Sequence, residues 1–424
     1  MVRLAENKHY SENKPTQILP LPSVVYIPLI QHLGKICEPE VKAGDVVSLG
    51  QKLGGSLAAH IYAPIHASIS GKVIAVQDWP HPVLGRAKAV IIQGDGREDN
   101  AEFHPRNKQE IDRLTLSDLR NIVLEAGIVG MGGASFPTHI KFNPPKPLDI
   151  LIINGAECEP YLTADARLMV EKAPQISAGI DLIARCLGIK SIYIGIEKNK
   201  PEAIKAFSEF PGIKVKILPS EYPQGGEKQL IKNILGKEIP PGKLPFDLGV
   251  LVQNVATVYA VYEAVYEGKP LIERIVTVTG SCLESPKNLL VRIGTPIKNL
   301  IEFCGPLKET PVKIIIGGPM MGIAQYTDSV PVIKSTNGLL LMNKKEAKIL
   351  EEGPCIRCAA CLRGCPVGLM PCQINLASEK SLWNLAKEFR AGDCIECGIC
   401  NYVCPANRKL LQTIKRAKLE LVKK

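Results

Sequence analysis

The sequence predicts a multidomain α/β protein that ends in a small, cysteine-rich helical domain. Near the N-terminus, apolar and polar residues alternate, which is typical of strands buried on one face. From about residue 115 onward, short apolar runs alternate with helical stretches, a pattern that favours a parallel sheet flanked by helices. Nine of the 14 cysteines lie after residue 350. With 424 residues, the chain is long enough for several domains, each with its own core.

The N-terminal segment, residues 1–112, contains two strand-rich motifs. Residues 41–53 and 62–74 both alternate apolar and polar positions around a glycine. The pair resembles the barrel-sandwich hybrid fold of biotinyl and lipoyl carrier domains. Those carriers hold a lysine on the hairpin between the two motifs, but residues 54–61 contain no lysine. The resemblance therefore implies a structural or docking domain and not a carrier.

Residues 113–268 are predicted to form a Rossmann-like α/β domain. The predicted strands cover residues 149–153, 191–196, 215–218 and 248–252. The predicted helices cover residues 116–126, 164–171, 175–187, 201–209, 227–235 and 255–266. Ligands of such sheets bind beyond the carboxyl ends of the strands, where the sequence places Asn154, Tyr222, Gln253 and Asn254.

The next segment is predicted to be a compact α+β module. Strands and a short helix are expected within residues 275–305, and the whole module is predicted to cover residues 269–330. A linker is expected at residues 317–319, where the sequence reads Gly-Gly-Pro. A helical domain over residues 344–424 is predicted to follow.

That last domain contains the pattern C-x2-C-x2-C-x3-C-P twice. The spacing is typical of proteins with two [4Fe-4S] clusters, in which three thiolates of one motif bind one cluster and the fourth binds the neighbouring cluster. The ligands predicted for the first cluster are Cys355, Cys358, Cys361 and Cys404. The ligands predicted for the second cluster are Cys394, Cys397, Cys400 and Cys365.

Zinc is the alternative, because paired C-x2-C motifs also form tetrahedral zinc sites. A zinc ion needs four sulfurs, which leaves the third cysteine of each motif and the proline after it unexplained. Cys372 lies outside both motifs and is expected to be a buried apolar thiol. The other five cysteines are scattered along the chain, so a disulfide framework is not expected.

The formal charge of +10 is concentrated towards the C-terminus. No nucleic-acid recognition motif accompanies it, so nucleic acid is not an expected partner. Between Arg408 and Lys424, basic residues alternate with leucine and isoleucine, which predicts an amphipathic helix. Such a helix either closes its domain with a solvated basic face or docks on anionic lipid or an acidic redox partner.

The beginning of the chain has no apolar signal segment, and no apolar run approaches the length of a membrane span. A protein that is soluble, or peripheral to the cytoplasmic face of a membrane, is therefore expected. Iron–sulfur clusters would also be at risk in an oxidising compartment.

Closely spaced glycines mark residues 127–142, GIVGMGGASFPTHIKF. Positions without a side chain let backbone N–H groups approach a phosphate or a flat ring. The spacing is not that of the G-x-G-x-x-G dinucleotide signature, and a glycine-rich turn is often only a turn. The segment by itself therefore leaves both interpretations open.

Four separated segments together resemble the flavin-bearing subunit of respiratory complex I. The glycine-rich segment is similar to the GxGGAGFPTxxK loop of that subunit, which wraps FMN and forms part of the NADH site. The other three segments are residues 154–160 (NGAECEP), 222–228 (YPQGGEK) and 252–257 (VQNVAT). All four agree in their order along the chain.

With the carrier-like N-terminal domain and the doubled cysteine motif, these segments are similar to the C-subunit family of the Rnf complex, the ion-translocating ferredoxin:NAD oxidoreductase. The resemblance covers nearly the whole chain and implies a soluble-ligand-binding β-grasp fold for residues 275–305. It implies two [4Fe-4S] clusters, FMN, and NAD(H) as substrate. It also implies other Rnf-type membrane subunits as partners, indirect exchange with ferredoxin, and a peripheral position on the cytoplasmic face of the inner membrane.

The resemblance further implies roles for individual residues. Those that would hold the FMN phosphate and the edge of its ring are Gly130, Gly132, Gly133 and Lys141. Those that would hydrogen-bond the cofactor, or complete its site, are Asn154, Tyr222, Asn254 and Thr257. Those that would lie at the nicotinamide nucleotide or beside the flavin are Phe136, Glu159 and Glu227. For Glu227, a plain position in a first helical turn is the alternative.

The chain departs from the complex I pattern at three positions. Ser135 replaces a glycine, and Ala156 and Lys228 each stand where the complex I protein has an acid. The resemblance therefore does not indicate the electrostatic environment of the flavin, or the redox potential that depends on it.

The two predicted kinds of cofactor have a chemical reason to share a chain. Nicotinamide exchanges a hydride, which is two electrons, whereas a [4Fe-4S] cluster accepts one, and FMN can separate the pair. The implied function is an electron-input subunit with no catalytic side chain. One alternative is a cobalamin reductase, in which the flavin-loop domain comes first and the carrier-like domain last, unlike here. The other is a cluster relay without a nucleotide site.

Overall fold

The computed structural model describes residues 1–56, 61–97, 103–347 and 350–423. The lysine-free stretch between the two N-terminal motifs is therefore only partly described, because residues 57–60 lie outside these ranges. Four regions are named here by their predicted bounds: the N-terminal domain (1–112), the central domain (113–268), the β-grasp module (269–330) and the C-terminal domain (344–424). None of the helices in the described ranges is long and apolar enough to cross a bilayer.

The N-terminal domain consists of two antiparallel sheets that enclose one core. The first strand of the chain, β1 (Gln17–Ile18), is in neither sheet and pairs instead with the β-grasp module. The strands of the two sheets are β2 (Val24–Pro28), β3 (Glu38–Pro39), β4 (Val46–Val47), β5 (Lys52–Gly55), β6 (Ile65–His66), β7 (Gly71–His81) and β8 (Gly85–Gly94). The strand order is β2-β8-β7-β4 in one sheet and β3-β5-β6 in the other. Ile27, Leu53, Ile65 and Val73 are fully buried between the sheets, as the alternating pattern predicts.

The central domain is a parallel sheet covered by helices. A short helix, α1 (Lys108–Asp112), directly precedes it. The elements of the domain are α2 (Leu116–Glu125), α3 (Thr138–Lys141), β9 (Ile150–Gly155), α4 (Ala164–Glu171), α5 (Ala173–Leu187), β10 (Ser191–Glu197), α6 (Pro201–Ser208), β11 (Lys214–Leu218), α7 (Glu227–Leu235), β12 (Val250–Asn254) and α8 (Val255–Tyr262). The strands are all parallel and follow the order β11-β10-β9-β12. The predicted parallel sheet is confirmed, and each predicted strand and helix has its counterpart.

Local signals account for the ends of these helices. Thr115 caps α2, and its side chain and that of Asp118 each accept the other's backbone N–H, the reciprocal arrangement of a capping box. Gly188 ends α5 in the left-handed conformation, at φ 66°. The last predicted helix is shorter than expected, because α8 gives way after Tyr262 to a π-helical turn, Glu263–Glu267.

The β-grasp module is a mixed sheet with one covering helix. Its elements are β13 (Glu273–Thr279), β14 (Lys287–Arg292), α9 (Ile297–Phe303), β15 (Lys313–Ile316), β16 (Ile323–Ala324) and β17 (Gly338–Met342). The strand order is β1-β14-β13-β17-β15-β16. Strand β17 lies beyond residue 330 in the sequence, yet it belongs to this sheet because it pairs with β13 on one side and β15 on the other.

The segment expected to be a linker is a tight turn instead. Residues 317–322 connect β15 to β16, which pair antiparallel with Ile316 opposite Ile323. The Gly322 N–H donates to the Gly318 carbonyl at 2.9 Å. Gly317 has φ +98°, which is open to glycine and strained for other residues. The glycines therefore fit a hairpin turn, which the sequence pattern alone did not distinguish from a linker.

The C-terminal domain is helical, as predicted. Its helices are α10 (Ala360–Gly364), α11 (Pro371–Glu379), α12 (Trp383–Glu388), α13 (Ile399–Tyr402) and α14 (Leu410–Val422). The apolar face of α14 is buried through Leu410, Ile414 and Ala417 in a core that also contains Ile374 of α11. Helix α14 thus closes this domain.

The basic residues of α14 are largely engaged inside the same domain. Lys415 and Lys418 both approach Glu396, at 3.3 Å and 2.5 Å. The Arg416 guanidinium lies over the Trp383 ring, 5.4 Å from its centroid. These contacts favour the closing-helix interpretation of the basic segment over the docking one.

Lys334 joins three regions of the chain. Its buried ammonium group donates to the carbonyls of Pro64 in the N-terminal domain and Gly127 in the central domain, each at 2.6 Å. Burial lowers the pKa of Lys334 to about 7. In the unfolded chain the amine has a pKa of about 10.4. Between these two values the unfolded state binds more protons than the folded one.

We therefore expect the free energy of unfolding to rise with pH between about pH 7 and pH 10. The contribution of Lys334 is at most about 1.4 kcal/mol per pH unit. The Lys334→Met variant lacks this contribution. Denaturant unfolding should therefore show that the difference in the free energy of unfolding between wild type and variant grows with pH across this range. A difference that does not change with pH would show that the two carbonyls keep the amine charged.

Candidate flavin and cluster sites

The glycine-rich segment forms a closed loop between α2 and α3. The Gly130 N–H donates to the Phe136 carbonyl at 2.8 Å, and the Ser135 N–H donates back to the Gly130 carbonyl at 3.2 Å. Ser135 has φ +51°, in the left-handed region. Its carbonyl accepts the Leu33 N–H of the N-terminal domain at 3.0 Å. The loop therefore keeps a glycine-like conformation at Ser135, and the N-terminal domain contacts it.

The other side of the loop faces the beginning of α8. The Met131 N–H donates to the Thr257 hydroxyl at 2.9 Å. Asn254 caps the helix by accepting the N–H groups of Ala256 and Thr257, at 2.9 and 3.4 Å. A Cβ atom on Gly132 would lie 3.3 Å from the Asn254 Cβ. The structure thus brings Gly130, Gly132, Asn254 and Thr257 together at a helix N-terminus, where anions are favoured.

Asp165 belongs to this site and was missed by the sequence analysis. Its carboxylate accepts the Asn254 side-chain N–H at 2.7 Å. Burial, reinforced by the neighbouring Glu157, raises the pKa of Asp165 to about 7. In the sequence, Asp165 reads as an ordinary acid in the first turn of α4, so only the fold reveals its proximity to Asn254.

Three further predicted residues lie at the same edge of the sheet. Lys141, at the end of α3, pairs with Glu227 at 3.0 Å and donates to the Val252 carbonyl at 3.2 Å. Glu227 is the first residue of α7. It therefore occupies a first helical turn, as the alternative interpretation expects, and it also lies beside Lys141. The Asn154 side-chain N–H donates to the Gly225 carbonyl at 2.9 Å.

The residues present fit an anionic, ring-bearing ligand such as FMN. Gly132 and Gly133 are exposed, and a Cβ on Gly133 would meet nothing within 4 Å among the described residues. At the end of β12, the buried Gln253 side-chain nitrogen has no hydrogen-bond partner in the described part of the chain. The loop therefore presents open backbone beside a helix N-terminus and an unpaired buried donor.

Tyr222 and Glu159 face the C-terminal domain. The Tyr222 hydroxyl, which is buried, donates to the Cys397 carbonyl at 2.8 Å. The two Glu159 carboxylate oxygens accept the Met320 and Met321 N–H groups at 3.2 and 2.8 Å. Burial raises the pKa of Glu159 to about 7. These two residues therefore connect the central domain with the second cysteine motif and with the β15–β16 turn.

Four cysteines line one cavity inside the C-terminal domain: Cys365, Cys394, Cys397 and Cys400. One of them comes from the first motif and three from the second, which is the combination predicted for the second cluster. The remaining walls are apolar, with Ile399, Leu411 and Ile414 among the lining residues. The donor set and the apolar surroundings fit a [4Fe-4S] cluster.

The other four predicted ligands belong to a more exposed part of the domain. Cys355 and Cys358 are exposed and Cys361 is buried. The backbone just before Cys355 is joined to the backbone just after Cys404, because the Gly353 N–H donates to the Ala406 carbonyl at 2.9 Å. Cys361 and Cys404 contribute to the same apolar core, as does Cys372, which is half-buried.

In neither cysteine set do the side chains converge on one metal position. Across the described ranges, no group of three or more His, Cys, Asp or Glu side chains is arranged to hold one metal ion. The four cysteines of the buried set surround a cavity instead.

Three protein-family models match separate parts of the chain. The RnfC barrel sandwich hybrid domain matches residues 2–97, the Nuo51 FMN-binding domain matches residues 123–263, and the SLBB domain matches residues 275–324. The barrel-sandwich, α/β and β-grasp parts of the predicted architecture are thereby confirmed. Together with the cysteine motifs, they define a class of oxidoreductase subunit that resembles the flavin-bearing subunit of complex I.

Curated relatives narrow this class. The chain is 47% identical over 423 residues to the C subunit of the proton-translocating ferredoxin:NAD(+) oxidoreductase complex of Clostridium ljungdahlii, covering 98% of this chain and 92% of that protein. It is 42% identical over 407 residues to the C subunit of the Na(+)-translocating ferredoxin:NAD(+) oxidoreductase complex of Acetobacterium woodii, covering 95% and 91%. The chain therefore belongs to the family of Rnf complex C subunits, as its sequence motifs predict.

A solved structure supports the fold alone. A crystal structure of an NAD+-reducing [NiFe]-hydrogenase in the H2-reduced state is similar with a TM-score of 0.51 and 18% sequence identity. The similarity covers 75% of this chain and 67% of that one.

Proposed function

We propose that the chain is the electron-input subunit of an ion-translocating ferredoxin:NAD+ oxidoreductase. In this role it binds NAD(H) and FMN at the glycine-rich loop and binds two [4Fe-4S] clusters in the C-terminal domain. The observation that carries the proposal is the hydrogen bond from Tyr222 to the Cys397 carbonyl. It joins the loop after β11, at the carboxyl end of that strand, to the backbone of a residue that lines the cysteine cavity.

Different residues in and around the loop would contact different parts of FMN. The backbone of Gly130, Gly132 and Gly133 would receive the phosphate and the ring edge, with Lys141 supplying positive charge. Thr257 holds the loop against α8, Asn254 caps that helix beside Gly132, and Asn154 fixes the turn at Gly225 on the far side. When bound, FMN would supply the conversion between a hydride and single electrons.

The nicotinamide nucleotide would approach from the side of Phe136, which is half-buried beside the open glycines. Glu227 would lie beside the flavin, with its charge balanced by Lys141. Glu159 differs from these residues, because both oxygens of its carboxylate already accept backbone N–H groups.

The two cysteine sets differ in burial, which supports an order of electron transfer through the two clusters. The set of Cys365, Cys394, Cys397 and Cys400 lies against the central domain and is largely buried, which suits the cluster that exchanges electrons with the flavin. The set of Cys355, Cys358, Cys361 and Cys404 includes exposed cysteines, which suits exchange with an external partner. The chain supplies orientation, burial and hydrogen bonds, and no side chain acts as a nucleophile.

The names of the relatives support a role as one subunit of an ion-translocating complex. We propose that the other subunits are membrane partners of the Rnf type and that this chain is peripheral to the cytoplasmic face of the inner membrane. In this arrangement the chain exchanges electrons with ferredoxin only indirectly, through those partners. The N-terminal domain and the surface around Cys355 and Cys358 are the candidates for docking them.

Anaerobically purified protein is expected to contain about eight irons and stoichiometric FMN, and to show a reduced-cluster EPR signal after NADH is added. Dithionite reduction of the same sample serves as the control that the clusters are intact. A protein with its irons but no flavin, or one that dithionite reduces and NADH does not, would be a cluster relay and would contradict the proposal.

A further inference from the structure

The turn at residues 317–322 lies where three domains meet. It is the tip of the β15–β16 hairpin, and β15 also pairs with β17, so the turn is anchored on the β-grasp sheet. The Gly317 N–H donates to the Gly338 carbonyl of β17 at 2.8 Å, which fixes the base of the turn. The tip is therefore held by the module and extends away from it.

On the side of the central domain, the turn is bound by Glu159. One carboxylate oxygen accepts the Met320 N–H at 3.2 Å, and the other accepts the Met321 N–H at 2.8 Å. When the carboxylate is ionised, these hydrogen bonds are about twice as strong as those between neutral groups. Gly318 lies against the same carboxylate, and a Cβ there would overlap with it.

On the side of the C-terminal domain, the turn touches the second cysteine motif. A Cβ on Gly398 would lie 2.7 Å from the Met320 carbonyl oxygen, so the backbone that follows Cys397 runs directly along the turn. The Met320 side chain packs in a small apolar cluster with Tyr222, Cys158, Cys397 and Ile399. One residue of the turn thus contacts both neighbouring domains.

The segment that carries Glu159 is itself fixed to the β-grasp sheet. The Thr163 N–H donates to the Thr277 hydroxyl of β13 at 3.0 Å. Tyr161 packs against Ile315 and Leu340. The loop after β9 therefore cannot shift without moving the sheet that carries the turn.

We propose that residues 317–322 are a fixed spacer between the flavin site and the buried cysteine cavity, and that Glu159 is the positioning residue that clasps this spacer. The inference rests on the proposed function, and it gives the Glu159 carboxylate a role different from the nicotinamide contact that the family resemblance implies. It also gives the β-grasp module a role that needs no ligand. Because electron transfer between two centres slows steeply with their separation, loosening the spacer would slow it.

The clasp is tested with Glu159→Ala, which removes both acceptors, and Glu159→Gln, whose amide oxygen can still accept. Glu221→Gln is the control, because it removes a nearby carboxylate that points to Arg3 and not to the turn. Hydrogen exchange of the holoprotein, followed by mass spectrometry, should show residues 318–322 exchanging about tenfold faster or more in Glu159→Ala. Exchange should be intermediate in Glu159→Gln and unchanged in Glu221→Gln.

The same samples are then followed by stopped-flow absorbance and freeze-quench EPR after NADH addition. We expect unchanged iron, FMN and flavin reduction in Glu159→Ala, slower appearance of the reduced-cluster signal, and partial rescue in Glu159→Gln. Unchanged exchange of the turn, or faster exchange with unaltered cluster reduction, would overturn the spacer. Slower flavin reduction by NADH would overturn it too, since Glu159 would then act at the nicotinamide. A wild type without flavin would instead refute the proposed function, whatever the exchange shows.

Discussion

Replacing Cys365 by alanine is expected to remove the same cluster as replacing Cys394, although Cys365 belongs to the other motif. Both side chains line the cavity that also contains Cys397 and Cys400. Loss of one thiolate leaves one iron of the cubane without its protein ligand, so we expect the cluster to be lost during purification. The iron content should therefore fall from about eight to about four per chain in each variant. The EPR signal that remains should be the same in both.

Cys404→Ala is expected to remove the other cluster. Cys404 is the last cysteine of the second motif, but the backbone just after it is joined to the backbone just before Cys355, because the Gly353 N–H donates to the Ala406 carbonyl. The signal that it leaves should be the one that Cys365→Ala removes. Cys372→Ala is the matched control, since it removes a half-buried cysteine of the same core that lies outside both motifs. It should retain all of its iron. The crossed assignment fails if Cys365→Ala and Cys355→Ala leave the same residual signal.

Thr257→Val is expected to have the largest effect on the flavin. The fully buried Thr257 hydroxyl accepts the Met131 N–H at 2.9 Å, in the middle of the glycine-rich loop. Valine has nearly the same shape but no acceptor, so that amide is left unpaired at a cost of about 1–3 kcal/mol. The loop is expected to move away from α8, and FMN affinity should fall by about tenfold or more.

Thr257→Ser is the control, because it keeps the hydroxyl and loses only a methyl group. Flavin fluorescence during reconstitution of the apoprotein with FMN gives the affinity, and the iron content checks that the C-terminal domain is intact. Equal FMN affinity in the valine and serine variants would show that the Met131 contact does not hold the loop.

Much of the fold is visible in the sequence because its signals are local. The period-2 and helical patterns gave the strands and helices of the central domain within a few residues. Glu227–Leu235 and Ala164–Glu171 have the predicted bounds. The π-helical turn after Tyr262 was not foreseen, because an extra residue in a helical turn leaves no mark in the apolar spacing.

The sequence likewise reveals some residues of the candidate site and not others. The glycine-rich loop, Asn154, Asn254 and Thr257 could be singled out because they occur in short motifs of recognisable order. Asp165 and Lys334 could not be, since an acid in a first helical turn and a lysine after a short apolar run look ordinary. Their significance comes from contacts with residues far away in the sequence, Asn254 for Asp165, and Pro64 and Gly127 for Lys334.

The sequence by itself determined the family, and it predicted the order of the domains and the two sets of four cysteines, because each depends on spacing within a short stretch of chain. The tertiary structure decided which surfaces meet. Tyr222 lies against Cys397, Glu159 is turned towards Met320 and Met321, and the glycines expected in a linker form a hairpin tip between two domains. These contacts join residues about 160 or more positions apart. Such pairings follow from how the sheets pack on one another, and no local pattern records them.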